Sequence, residues 1–161
     1  SLSRVEEEAR MRPTDSLDVA DIVNTVVRNL SEVAKAQEVE ISVEGLEAET
    51  KVLGDSDQLL QVFTNLIENA VKYGQSAEVN VMVDDEWITV VICDHGPGIP
   101  EEKLEAVFEP YYRLANDEDG HGLGLGICRN ILHGHGGDLI IDNLPNRGLR
   151  AQVFIPPSLE V

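Results

Sequence analysis

Two carboxamides and an amine recur in this chain at the spacing of one helical face. They lie in the run Asn65-Leu66-Ile67-Glu68-Asn69-Ala70-Val71-Lys72-Tyr73. At 100° per residue, Asn65, Asn69 and Lys72 fall within about 60° of one another. Leu59, Phe63, Leu66, Ile67 and Ala70 fall on the other side and are expected to pack inward. Amide oxygens can ligate a divalent cation without adding charge, and an amine can neutralise an anion beside it. A set of carboxylates would repel such an anion. The same pattern also describes the solvated face of an ordinary amphipathic helix, and the helix alone does not decide between the two.

A second group makes the choice less even. Asp94 closes the β-branched run Val90-Val91-Ile92-Cys93 and leads into His95-Gly96-Pro97-Gly98. A carboxylate at the end of a strand, at the edge of an apolar pocket, can accept a hydrogen bond from the exocyclic amine of adenine. Guanine offers no donor at that place. Gly96 and Gly98 leave room for a flat base beside the backbone. Taken alone, Asp-x-Gly-x-Gly is also an ordinary turn. Further on, glycines alternate at 120, 122, 124 and 126 around His121, Leu123 and Leu125, and a helix is expected from Gly122 to His135. Such a stretch can aim N–H groups at phosphates at the positive end of a helix dipole. The Gly-x-x-x-x-Gly-Lys of a P-loop is absent, and no Gly-x-Gly-x-x-Gly opens a βαβ unit.

The elements that must position these residues can be read from periodicity. Leu17 suggests a short strand. Asp18 to Gln37 reads as an amphipathic helix that Asp18 can cap. Strands are expected at 39–43 and 50–53, with a turn at Gly45. Asp55 can cap the helix that carries Asn65, and Gly74 stands where a C-cap glycine is favoured. Residues 77–83 and 87–93 read as strands joined by the acidic hairpin Asp84-Asp85-Glu86. The stretch from Asp94 to His121 is long and rich in Gly and Pro, as a lid would be, with a short helix expected at 101–107. Strands at 138–142 and 150–155 close the domain as a hairpin. His133 and His135 are read as C-terminal capping groups of the last helix. The expected architecture is α/β (α+β): a two-layer sandwich with a mixed, mainly antiparallel five-stranded sheet packed on three helices.

Composition sets limits on partners. The chain has 161 residues, 42% hydrophobic, and a formal net charge of −18. That is a globular composition of single-domain size. The charge argues against a nucleic-acid or anionic-membrane surface. An anionic ligand would therefore need local compensation from a divalent cation, a Lys or Arg, and helix N-terminal amides. Cys93 and Cys128 form no metal-ligand pattern and read as buried or half-buried thiols. No apolar run is long enough to span a membrane.

Four stretches now stand in one order. They are Asn65–Tyr73, Asp94-His95-Gly96-Pro97-Gly98, Phe108-Glu109-Pro110-Tyr111-Tyr112-Arg113, and Gly120-His121-Gly122-Leu123-Gly124-Leu125-Gly126. Together they resemble the N, G1, F and G2 boxes of the catalytic ATP-binding domain of bacterial sensor histidine kinases. That domain belongs to the group shared with gyrase, Hsp90 and MutL, which carries the Bergerat ATP-binding fold. The resemblance implies ATP and Mg²⁺ as ligands. It implies nucleotide contacts from Asn65, Asn69, Lys72, Tyr73, Asp94, Gly96, Gly98 and Ile99. It adds Tyr112, His121, Gly122, Leu123, Gly124 and Leu125. Asn69 is implied as the metal ligand, and Asn65, Lys72 and Arg113 as the catalytic set. The F-type stretch occurs in histidine kinases and not in gyrase, Hsp90 or MutL. Those relatives also place a Glu where this chain has Asn65.

The resemblance further implies a division of labour. Residues 1–13 are expected to be the end of a histidine-hairpin dimerisation helix with its linker, and 14–161 the catalytic domain. None of the four histidines has the context of a phosphoacceptor. The expected partners are the hairpin domain of a parent kinase and a response-regulator receiver domain, in the cytoplasm, with the parent anchored in the bacterial inner membrane. No direct membrane contact by this segment is expected. Two other classes stay open at this point: a serine kinase of the anti-sigma-factor type, and a degenerate domain that serves as a nucleotide-binding scaffold.

Overall fold

The structure, a computed structural model, describes residues 13–109 and 124–158. Asp15–Asp18 (β1) leads into the helix Val19–Ala36 (α1). Ile41–Glu44 (β2) and Lys51–Gly54 (β3) follow, then the helix Ser56–Tyr73 (α2). Ala77–Val83 (β4) and Ile88–Cys93 (β5) form a hairpin. Leu125–Gly134 (α3), Asp138–Asn143 (β6) and Leu149–Ile155 (β7) complete the described chain.

Five strands form one sheet in the order β2-β4-β5-β7-β6. β2 runs parallel to β4, and every other pair is antiparallel. β1 and β3 stand apart as a two-stranded antiparallel sheet. The expected mixed sandwich is thus the one observed. Its core lies where helices and sheet meet, between the apolar stripe of α2 (Leu59, Val62, Phe63, Leu66, Ile67) and alternate strand residues such as Val79, Val90 and Val153. Side chains of this kind contribute about 1.5–3 kcal/mol each when fully buried. Among the described residues no helix is long and apolar enough to cross a membrane.

Local chemistry sets the helix ends. Asp18 accepts from the Ala20 N–H at 3.0 Å, and Asp55 Oδ1 accepts from the Gln58 N–H at 3.0 Å. Each cap is worth about 1 kcal/mol. The buried Thr50 ties this start to β3: its hydroxyl accepts from the same Ala20 N–H at 2.9 Å and bonds the Asp18 carboxylate.

Several expectations need correction. Gly74 ends α2, but in a right-handed conformation (φ −103°); the left-handed residue is Gln75 (φ 67°). Glycine is required there for space, because a Cβ would overlap the side chain of Asp94. Residues 101–107 hold two short 3₁₀ turns, Glu101–Lys103 and Ala106–Phe108, in place of a helix. α3 is observed from Leu125, after Gly124 in the left-handed region, whereas Gly122 and Leu123 lie outside the described residues. His135 caps the end of α3, as expected, and does more. Only 5% exposed, it accepts the Asp55 N–H at Nε2 (3.0 Å) and donates from Nδ1 to the Ile131 carbonyl (2.8 Å). It therefore links the end of α3 to the start of α2. The exposed His133 pairs with Asp138 at 2.9 Å.

Candidate functional site

α2, β5 and α3 converge on one cavity, backed by the β6–β7 hairpin. Leu66, Asn69, Ala70 and Tyr73 line it from α2, and Leu125 from α3. Ile92, Asp94 and the loop Gly96–Ile99 form a second wall. Ile141, Leu149 and Ala151 form the back. The space, counted with its open mouth, is about 570 Å³, of which about 50 Å³ is cavity proper. Most of this surface is apolar, with few polar groups to orient a ligand.

Asp94 is the main one. Its Cβ packs against Gly74, and the residue is 8% exposed. Oδ1 accepts the N–H of Gly96 at 2.9 Å and the N–H of Leu149 at 3.0 Å. Burial pushes the carboxyl above its ordinary range, opposed by these two bonds and by the neighbouring His95. The adjoining loop is packed tightly. A Cβ on Gly96 would lie 2.7 Å from the Tyr73 carbonyl, and Gly98 has φ +74°. His95 is exposed and meets Ser76 Oγ.

Asn65 and Asn69 are both half-buried on α2, and Lys72 is exposed one turn on. Lys72 Nζ lies 5.3 Å from the centre of the Tyr73 ring, a cation–π distance. The Asn65 amide donates to Cys128 Sγ at 3.7 Å. A Cβ on Gly124 would sit 2.5 Å from that amide nitrogen. The left-handed glycine thus lets the start of α3 approach Asn65. No acidic side chain occupies the first turn of α3, so the positive end of its dipole is not neutralised there. Burial pushes the Cys128 thiol up to about 11, which keeps it a neutral S–H.

Residues 54–159 match the histidine kinase-, DNA gyrase B-, and HSP90-like ATPase family. The chain is a member of that family. Within this ATPase family its relatives are kinases. It is 45% identical over 92 residues to the sensor histidine kinase GtrS of Pseudomonas aeruginosa, which covers 57% of this chain and 20% of that protein. It is 34% identical over 147 residues to the adaptive-response sensory kinase SasA of a Synechococcus species, covering 87% of this chain and 38% of that protein. The chain therefore spans well under half the length of these curated relatives. The catalytic domain of histidine kinase ThkA superposes with a TM-score of 0.77 at 26% identity, over 88% of this chain and 94% of that one. The mycobacterial sensor histidine kinase MprB gives 0.78 at 28%, over 88% and 97%.

For an ATPase-family nucleotide the donor set fits in kind. A buried carboxylate stands at the apolar end, and amides with a helix start stand at the other. Among the described residues no three His, Cys, Asp or Glu side chains gather as a metal cluster. An Mg²⁺ ion here would take an amide oxygen from the protein and its other ligands from phosphates and water. The structure brings together Asn69, Tyr73, Asp94, Gly96, Gly98, Ile99 and Leu125 around the cavity. Asn65 and Gly124 adjoin it. Tyr112, Arg113, His121, Gly122 and Leu123 lie outside the described residues.

Sequence reasoning missed the back wall. Asn143 holds Ile99 through both backbone groups, and Leu149 bonds Asp94. Neither follows a motif; the sequence offers only a glycine at 148, which the structure places at φ +115° in the turn between them. Arg129 was missed as well. Its guanidinium stacks 4.2 Å from the Phe108 ring and lies 3.5 Å from the Asp138 carboxylate.

Proposed function

We propose that this chain is the ATP-binding kinase domain of a sensor histidine kinase. In this reading it holds Mg–ATP for transfer of the γ-phosphate to a histidine on a separate dimerisation domain, for relay to a response-regulator aspartate. The observation that carries it is the convergence of Asp94, the Asn65–Asn69 face and the left-handed Gly124 on one cavity. Their order in the chain resembles that of the N, G1 and G2 boxes of the kinase family.

The roles follow from chemistry at each end. Asp94 Oδ1 is engaged by two backbone amides, which leaves Oδ2 to accept the exocyclic amine of adenine. Gly96, Gly98 and Ile99 make the slot for the base, and Tyr73 flanks it. Asn69 supplies the amide oxygen for the cation, and Lys72 a positive charge for the phosphates. Asn65 orients a phosphate oxygen or a metal-bound water. An amide cannot serve as the base that a Glu would be, so Asn65 suits transfer to an imidazole better than hydrolysis. The amides of Gly124 and Leu125, at the start of α3, would serve the phosphate end. Mg²⁺, when bound, screens phosphate charge during transfer. For the protein, the work is positioning and charge neutralisation. Arg113, Tyr112, His121, Gly122 and Leu123 belong to the same proposal on the strength of the family motif.

The test uses γ-labelled ATP with this chain and the histidine hairpin of a close kinase relative. Acid-labile, base-stable label on the hairpin is expected, and its loss in the Asn69→Ala variant by at least tenfold. Acid-stable label on serine would replace this reading with a serine kinase. No label, and no calorimetric binding of ATP, would leave a scaffold.

A further inference from the structure

The β6–β7 hairpin makes more contacts with the base loop than sheet closure requires. The Asp94 N–H donates to the Leu149 carbonyl at 3.0 Å, and the Leu149 N–H returns a bond to Asp94 Oδ1 at 3.0 Å. Arg147 Nε donates to the His95 carbonyl at 2.7 Å. At the far end of the loop, the Ile99 N–H donates to Asn143 Oδ1 at 2.9 Å, and Asn143 Nδ2 donates to the Ile99 carbonyl at 2.6 Å. Asn143 is the last residue of β6, paired with Leu149 in the register. Its carboxamide offers the same donor–acceptor pair as a peptide group. Ile99 is thus bound as if by one more residue of a strand.

The loop needs such a partner. Gly96, Pro97, Gly98 and Pro100 provide no regular ladder of their own, and the glycines lose more entropy on ordering than other residues. Asn143 also shapes the conformation directly, since a Cβ on Gly98 would lie 2.5 Å from its Oδ1. Ile99 lines the cavity and is buried, whereas Asn143 does not line it. Asn143 can therefore reach a ligand only through the loop.

We propose that Asn143 is a positioning residue for base recognition, holding the Asp94–Ile99 loop in its receptive shape before nucleotide arrives. The inference rests on the reading of this cavity as an ATP site. Two lost bonds predict that Asn143→Leu, similar in size but without hydrogen bonds, weakens ATP binding by about ten- to thirtyfold. The loss should fall more on ATP than on GTP, because a loosened loop no longer sets the base against Asp94. With a hairpin supplied, KM for ATP should rise while kcat is retained. Asn143→Asp, which keeps the acceptor and replaces the donor by an oxygen, should fall between wild type and Asn143→Leu.

Two measurements decide it. Calorimetry of ATP and GTP on wild type, Asn143→Leu and Asn143→Asp should show the ratio of affinities narrowing in step with the bonds removed. Equal weakening of both nucleotides would assign Asn143 to sheet closure alone and overturn the proposal. Hydrogen exchange of the Ile99 amide in the nucleotide-free wild type requires no variant to fold. Slow exchange is expected, and exchange at the rate of an exposed loop would overturn the clamp. A wild type that binds neither nucleotide would overturn the preceding reading and this one with it. Selective binding that survives Asn143→Leu would overturn this inference alone.

Discussion

Asp94, proposed to recognise the base, is placed at a cost in stability. It is buried, and burial holds its carboxyl above the ordinary range. An aspartate with a raised folded-state pKa binds its proton more tightly in the native state than in the unfolded one. Its contribution to stability therefore falls as pH rises from the unfolded value through the folded one, and at neutral pH the charged form is the destabilised form. Asp94→Asn keeps an oxygen for the Gly96 and Leu149 amides and removes that penalty. The variant should melt at or above the wild-type temperature at pH 7. Its preference for ATP over GTP should drop by about ten- to a hundredfold, the worth of a buried bond to a charged group. Calorimetry beside a melting curve checks both halves. A variant that melts lower and still discriminates would contradict the assignment. The recognition role proposed for Asp94 rests in the sequence on a carboxylate after a β-branched strand and before two glycines. Its backbone donors were not legible there, because Leu149 lies 55 residues away.

At the scale of elements, α3 is held at both ends by different means. Its start depends on close approach: a Cβ on Gly126 would overlap the Phe108 carbonyl. Its last residue, Gly134, has no atom within 4 Å of where a Cβ would be. Gly134→Ala should therefore stabilise the domain by about 0.5–1 kcal/mol, read as a shift in denaturation midpoint without a change in slope. His135, just beyond, does the reverse job. It is the acceptor for the N–H of Asp55, the cap of α2, and its other nitrogen donates to the Ile131 carbonyl. His135→Ala leaves that N–H without its partner and opens a space beside Gly54 and Leu59. A loss of about 2–4 kcal/mol is expected from the unpaired group and the cavity together. Because α2 carries Asn65 and Asn69, the same variant should weaken nucleotide binding, whereas Gly134→Ala should leave it alone. The helical period announced α2 and α3. The link between them was hidden, since a histidine beside glycines carries no period of its own.

At the scale of the whole molecule, 30 acidic residues face 12 basic ones. Like charge opposes the compact state, and the opposition shrinks as carboxylates take up protons or as salt screens them. Asp94 acts in the same direction. The melting temperature should therefore be higher near pH 5.5 than at pH 8 in dilute buffer, and the gap should narrow at about 0.5 M salt, where the Debye length falls to a few ångströms. The acid limit comes from groups such as Asp84. The N–H of Trp87, with that of Glu86, holds its carboxyl below the ordinary range. Its contribution is present above the unfolded pKa and is lost as pH falls through the lower folded value. A stability profile that rises steadily from pH 5.5 to 8 would contradict this account.

What the sequence determined by itself was local or periodic. Hydrophobic stripes fixed the helices, alternation marked the strands, Asp18 and Asp55 announced caps, and four short motifs named the ligand class. The mixed five-stranded sandwich followed from the order of those elements. Only the tertiary structure decided which residues meet across distance. It placed Asn143 on Ile99, Cys128 on Asn65, His135 on Asp55 and Arg129 on Phe108. It also moved the reason for Gly74 from a left-handed cap to contact with Asp94. Such pairs leave no period in the chain, because a contact between residues dozens of positions apart depends on how sheet and helices pack and not on the preferences of either residue.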